Sequence, residues 1–292
     1  MSLPIKIFFV DTKYKAPGSA SNADFRIDLP QSLTFPENTG FFIDDVCIPH
    51  SWYLVEDNVN DKLYISICPA QLIPHLDAYN TGVECVAVKI ESGNYSGAEL
   101  AIEMQTKIRA YINNTSFPNL LTAYYNAKQN TILIDSAYAE WAFKLLTPAD
   151  ILNRLNNTLS GENYAANKPN YMNEILGNLE GNSPWHTKLN PYQSNFLNLQ
   201  PIRNIYIHSS LGNYNTLGAR GETSIIKKIP VTANTNEVIF DQVLVGNDFG
   251  DCSKQTLRTI SFEFRDVKGN FINFRGSNLS FSIIFSRLDV SG

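Results

Sequence analysis

Near the carboxy terminus, Leu279, Phe281, Ile283 and Phe285 alternate with Ser280, Ser282 and Ser286. A period of two puts every large apolar side chain on one face of an extended strand and every serine on the other; a helix would scatter both sets around its circumference. The same period appears at Ile260, Phe262 and Phe264 against Ser261, Glu263 and Arg265, and near the amino terminus at Phe25, Ile27 and Leu29 against Arg26 and Asp28. Leu63, Ile65 and Ile67 repeat it against Tyr64 and Ser66. Residues 5–10, 41–48, 86–90, 205–208, 224–231 and 237–240 are further strand candidates, separated by stretches rich in Gly, Pro and Asn. The glycine-bearing turn 266–270 predicts a hairpin in which 271–274 returns along 259–265. Both ends of the chain, 1–91 and 201–292, therefore read as β. Each needs neighbours for its strands, which predicts that the two ends pair with one another.

The intervening residues 92–200 follow different rules. Ser96-Gly97-Ala98-Glu99 is a capping box, with Tyr95 and Leu100 placed as its hydrophobic staple. A helix of about four turns is expected, with Leu100, Ala101, Met104, Ile108, Tyr111 and Ile112 on one stripe and Glu103 and Lys107 paired on another. A short hairpin, 121–125 with 131–135, comes next, and Thr147-Pro148-Ala149-Asp150 opens a second, shorter helix with proline at its first position. From 156 to 198 the chain is rich in Asn, Gly, Pro and aromatic residues without a period, which predicts a long surface excursion.

Charged residues are 17% and aromatics 12% of the 292 residues, a balance that excludes wholesale disorder and favours pleated, half-buried surfaces. The formal net charge of −5, without any Lys/Arg cluster, argues against nucleic acid as a partner. Cys47, Cys68, Cys85 and Cys252 contain no C-x-x-C pair and are expected as reduced, buried thiols. The amino terminus has too short an apolar run for a signal peptide, and no stretch reaches the roughly 18 apolar residues of a membrane span. The expectation is a soluble protein made in a reducing compartment.

No catalytic constellation emerges. His50, His75, His186 and His208 are isolated, and no H-E-x-x-H, G-x-S-x-G or metal-spaced Cys/His group occurs. His208-Ser209-Ser210 ends a strand candidate and lacks a base and an orienting group. Asp44-Asp45, and Asp248 with Asp251, supply too few oxygens for Ca²⁺. The glycine-rich loop 212–221 carries Arg220 but no G-K-[ST] ending, so it reads as a turn or assembly loop. Trp52 and Trp141 are expected in the core. Trp185, beside Pro184 and His186, is either an exposed anchor for a partner or a pin for its own loop. Trp185, His186, Tyr192 and Arg220 are the candidate partner-contact residues; no catalytic residue, cofactor or metal is expected, and the chain is not read as an enzyme.

The order of motifs is more specific than any one of them. Phe8-Phe9-Val10-Asp11, then Ala23-Asp24-Phe25-Arg26-Ile27-Asp28-Leu29, Asp45-Val46-Cys47-Ile48-Pro49-His50-Ser51-Trp52-Tyr53 and Ser92-Gly93-Asn94-Tyr95-Ser96 lead into the helix. Ile205-Tyr206-Ile207-His208-Ser209-Ser210-Leu211, Ile225-Ile226-Lys227-Lys228-Ile229-Pro230-Val231, residues 257–266 and Leu279-Ser280-Phe281-Ser282-Ile283 follow in the second half. This succession resembles the penton (minor capsid, vertex) proteins of virophages and Maverick/Polinton-type viruses. The resemblance implies a single jelly-roll β-sandwich of two four-stranded antiparallel sheets. It also implies a homopentamer that closes the five-fold vertices of an icosahedral virion, against capsomers of a double jelly-roll major capsid protein. A ring closed head to tail requires two different patches on each subunit. The jelly-roll flanks are expected to make these contacts, with the insertion pointing outward or covering a sheet edge. The alternative is a non-enzymatic β-sandwich attachment module that binds a receptor or glycan.

Overall fold

A computed structural model describes residues 4–75, 83–112, 120–155, 171–178, 183–211, 216–242 and 249–287. The expectations for Asp248, for 212–215, for 156–170 and for 179–182 fall outside these. Along the chain run β1 (Pro4–Asp11), β2 (Asp24–Thr34), β3 (Thr39–Pro49), β4 (Lys62–Pro69), β5 (Glu84–Lys89), α1 (Gly97–Ile112), β6 (Leu121–Asn126), β7 (Thr131–Ser136) and β8 (Trp141–Leu145). There follow α2 (Pro148–Leu155), α3 (Asn173–Leu176), β9 (Tyr192–Gln193), β10 (Asn204–Ser209), β11 (Ile225–Pro230), β12 (Val238–Asp241), β13 (Gly250–Asp251), β14 (Thr256–Arg265) and β15 (Ser280–Arg287).

The chain divides into two compact units, Met1–Trp52 with Ile202–Gly292, and Tyr53–Pro201. In the first, one sheet has the order β1-β15-β3-β12, with β13 also on β3, and the other has the order β11-β10-β14-β2. All of these pairs are antiparallel. Taking the eight long strands in sequence as B to I, the sheets read B-I-D-G and C-H-E-F, which is the jelly roll. Both sheets contain strands from both ends of the chain: β15 lies between β1 and β3, and β14 between β2 and β10.

The apolar halves of the alternating strands meet between the sheets. Phe25, Phe262 and Phe264 of one sheet and Phe281, Ile283 and Phe285 of the other are buried. Phe262 crosses to Phe281 edge-on at 5.1 Å between ring centroids, Phe264 meets Phe281 at 6.0 Å, and Phe35 stacks on Phe285 at 4.4 Å. Trp52 is in this core, as expected. One charge also bridges the sheets. The buried Lys227 of β11 reaches Asp241 of β12 at 2.8 Å and donates to the Ile43 carbonyl of β3 at 3.0 Å. In β3, Asp45 adopts φ +49° where the register against β15 shifts, so one extra residue bulges out opposite Phe281.

The predicted return of 271–274 forms only in part. The turn closes, with Asp266 accepting from Lys268 and Asn270, but just one bridge, Arg265 to Phe271, follows. Both edges of β14 are already taken by β2 and β10. Ile272 and Phe274 turn into the core instead.

The second unit begins at Tyr53, not at residue 92. β4 pairs with β5 on one side and β8 on the other, in the order β5-β4-β8, rather than with the sandwich. Tyr64 and Ser66, read as the solvent side of β4, are buried, because Leu146 and Ile151 cover that face around Tyr64. A second sheet has the order β6-β7-β9. The capping box forms: Ser96 N–H donates to Glu99 and Glu99 N–H to the Ser96 hydroxyl, at 2.8 and 3.3 Å. Leu100, Ala101, Met104 and Ile108 of α1 are buried, whereas Tyr111 is exposed. Gly97 lies so close to Tyr125 that a Cβ there would meet the ring at 2.4 Å. At α2, Thr147 and Asp150 cap each other, and Lys144 pairs with Asp150 at 2.8 Å.

The stretch 156–198 is not a surface excursion where it is described. Met172, Ile175, Leu176, Tyr192 and Leu197 are core residues. Irregular backbone can be buried when its amides find partners, and here Met172 N–H donates to Lys62, Ser194 N–H to Ile132 and Leu197 N–H to Asn130. The anchors come singly, so no period marks them.

Phe262→Ala removes the ring that ties the sheets together and should cost about 3–5 kcal/mol in the urea unfolding of the sandwich. Asp241→Ala leaves the Lys227 ammonium buried and unpaired, at about 3 kcal/mol, while Lys227→Met should cost clearly less; equal losses would contradict the bridging role.

Candidate functional site

The two outward faces of the sandwich differ in chemistry. Directly paired residues share a face, so the register of β1, β15, β3 and β12 defines rows across the first sheet. Ile7, Ile284 and Phe42 form one row; Phe9, Ser282 and Asp44 the next; then Asp11, Ser280, Cys47 and Phe240; and finally Pro49 with Val238. Phe249 meets Phe42 edge-on at 4.9 Å. The border strands carry the most exposed apolar groups: Phe9 at 76%, Phe240 at 60% and Val238 at 56%. Between them the small Ser282 is buried. The edge strand β1 thus has apolar residues on both faces, Val10 inward and Ile5, Ile7 and Phe9 outward.

The outward face of the second sheet is polar and charged. Asp24, Glu263 and His208 make one row, Arg26 and Ser261 another, and Asp28 accepts from the Thr259 hydroxyl at 2.9 Å. Arg265 pairs with Glu263 at 2.8 Å, donates to the Gly269 carbonyl at 2.7 Å and lies 4.1 Å from the centre of the Phe271 ring. Such a face is satisfied in water, whereas the first exposes Ile7, Phe9, Val238 and Phe240 among its polar groups.

The candidate partner-contact residues are not brought together. His186 and Tyr192 are interior, 8% and 5% exposed, in the core of the second unit. The His186 ring packs 5.6 Å from Phe143 and edge-on to Tyr192 at 5.3 Å, while its backbone bridges Phe143. Both pack inside this unit. Trp185, next along this pinned segment, is half-buried. Arg220 is exposed in the first unit; it donates to the Lys268 carbonyl and pairs with Glu222 at 3.5 Å, clasping the turn after β14. Sequence reading missed the apolar side chains on the outer face of this sheet, the row Ile7, Ile284 and Phe42 with Phe9, Phe240 and Val238 among Asp11, Asp44, Ser280 and Ser282. Their signal is the uninterrupted run Ile7-Phe8-Phe9-Val10 and the pair Ile283-Ile284, which break the alternation and leave both faces apolar.

No group of three or more His, Cys, Asp or Glu suited to a metal occurs among the described residues. Asp45 accepts from Gln242 at 3.0 Å, and Asp251 accepts from Ser253. All four cysteines are free thiols, and burial pushes Cys252 up to about 12. His208 shares a 2.9 Å hydrogen bond with Ser224 rather than activating Ser209 or Ser210. No helix among the described residues is long and apolar enough to cross a membrane.

Burial first, and then the Arg265 guanidinium, hold His208 below the usual imidazole range, against Glu263 and Glu222. The folded sandwich therefore favours neutral His208, and the unfolded chain binds the extra proton. Stability should fall as pH drops below about 6.5 and level off below the folded value, and His208→Gln should flatten that slope in pH-dependent thermal unfolding.

No protein-family model matches the chain, and no curated protein does. Among solved structures, the chain is similar to the crystal structure of the mavirus penton protein at 9% identity, over 96% of this chain and 99% of that one, with a TM-score of 0.49. It is also similar to the 3.5 Å cryo-EM structure of the Sputnik virophage at 13% identity, over 98% of this chain and 99% of that one, with a TM-score of 0.44.

Proposed function

We propose that this chain is a structural subunit of a viral capsid, a penton protein of which five copies close the five-fold vertices of an icosahedral virion. The observation that carries the reading is the B-I-D-G and C-H-E-F strand order, an arrangement used by capsid proteins as well as by lectin domains and cupins. Among these hosts, the ordered motifs that resemble penton proteins favour the capsid. The unequal outer faces support it further, since a head-to-tail ring needs two dissimilar patches on each subunit. In this role the chain works by packing alone, with double jelly-roll major capsid capsomers as its second partner and the virion as its location.

Native mass spectrometry of the recombinant protein, alone and with the major capsid protein, tests this. The expected species has five times the 32.7 kDa of one chain, and negative-stain images should show five-fold rings. A protein that stays monomeric in both conditions, or that remains a monomer and gives consistent hits on a glycan array, would contradict the capsid reading and favour an attachment module.

A further inference from the structure

Three polar atoms in the core of the second unit are buried without a hydrogen-bond partner: Nδ1 and Nε2 of His186 and the hydroxyl of Tyr192. The two rings meet edge-on at 5.3 Å, and the imidazole also packs 5.6 Å from Phe143. The segment that carries them is tied to β8 through backbone bonds. Phe143 N–H donates to the His186 carbonyl at 2.9 Å, and His186 N–H to the Phe143 carbonyl at 2.7 Å. Thr187 and Asn190 then close a tight turn with reciprocal 3.0 Å bonds, and Tyr192 pairs with Ile134 of β7. The imidazole therefore lies where the segment passes from β8 to β7.

The charges on the surrounding elements do not reach the ring. On β8, Lys144 points to the face opposite Phe143 and pairs with Asp150. On β7, Asp135 lies on the face opposite Ile134 and Tyr192. In the turn, Lys188 donates to the Ala137 carbonyl at 3.2 Å, and Glu140, just before β8, is exposed. The titratable group facing the ring is Tyr192, and burial raises its phenol, so it stays neutral. The Asn190 and Pro191 carbonyls favour the protonated imidazole, but burial outweighs them and holds His186 below the usual imidazole range. A neutral ring packs here much as an apolar one does. An imidazolium carries two N–H donors and a charge, and finds no partner for either.

We propose that protonation of His186 releases the segment 183–193 from β8 and β7, so that the second unit carries an acid-sensitive latch. Release frees the N–H and C=O of Phe143 on the border of β8 and uncovers apolar surface at Phe143 and Ile134, an edge open to pairing with another chain. The buried histidines of the sandwich are better provided for. His50 shares a 2.9 Å hydrogen bond with the Ala233 carbonyl, and His208 has Ser224, with Glu263 and Glu222 favouring its charged form. The closed segment favours neutral His186, and the open segment, with an ordinary imidazole near pH 6.5, takes the proton. The closed form is thus fully favoured above about pH 7 and loses ground as pH falls below about 6.5. Between pH 7.5 and 5.0 the open fraction should rise several-fold, with a ceiling of about thirtyfold set by the 1.5 units below the open-state value.

Hydrogen exchange of the full chain at pH 7.5 and 5.0, expressed as protection relative to the unstructured chain at each pH, tests the latch. Peptides covering 183–193 and 141–145 should lose protection several-fold in acid, and those from β14 should lose less. His186→Phe fills the site with a ring that cannot be charged. Neither imidazole nitrogen has a partner to lose, so this variant should match or exceed the wild-type thermal midpoint at pH 7.5, and protection at 183–193 should no longer depend on pH. His186→Gln supplies a second side chain that cannot be charged and should behave alike in acid. Tyr192→Phe removes a hydroxyl without a partner and should leave the acid response in place. The latch is overturned if 183–193 keeps its protection at pH 5.0 in the wild-type chain, or if both His186 variants lose protection in acid as the wild type does. Equal losses over β14 and 183–193 would mean unfolding of the whole chain and would overturn it too.

Discussion

The last strand of the chain is hydrogen-bonded between the first and the third, and the sandwich depends on that placement. Among the described residues, β15 is the strand that joins β1 to the sheet, and it brings Phe8 and Val10 into the common core. Once it is in place, Phe281, Ile283 and Phe285 close the gap between the sheets and meet Phe262 and Phe35 across it. The pairing of β1 with β15 joins residues more than 260 positions apart, so its loop-closure entropy is paid before any apolar burial offsets it. An aromatic core of this density supplies the offset. The buried Lys227 adds no comparable driving force; a buried ion pair is weak evidence of stability and stronger evidence of a fixed register between sheets.

The same topology tolerates a large insertion. β3 ends at Pro49 and β10 begins at Asn204, and between them Tyr53–Pro201 forms a unit with its own core, built from β4, β5, β8, α1 and the hairpin β6–β7. A jelly roll asks only that β3 and β10 each reach the correct sheet. The chain between them is free to vary in length, which is the usual property of loops on a rigid scaffold.

Sequence reasoning recovered what alternates and lost what does not. Strands with one wet face, such as β2 and β14, were plain from their period, and the helix caps at Ser96 and Thr147 from their residue types. The boundary at Trp52 was missed because β4 and β5 alternate as the sandwich strands do. Period reports that a strand is half-buried, not which core it faces. The buried anchors of 171–198 were missed because irregular segments have no period at all, so His186 and Tyr192 looked available when packing had claimed them. The apolar outer face escaped for the opposite reason: in β1 and β15 apolar residues run together, and a search for alternation keeps only the inward half. Consecutive apolar residues in a border strand are the better sign of a surface awaiting cover.

The central claim is that the two ends of the chain form one cooperative body. Native-state hydrogen exchange measures this directly, strand by strand. The account predicts that the protected amides of β1, β3 and β15 open at one common free energy and respond together to denaturant. Amides near the amino terminus that exchange at one free energy, while those near the carboxy terminus exchange at another and with a different denaturant slope, would contradict it.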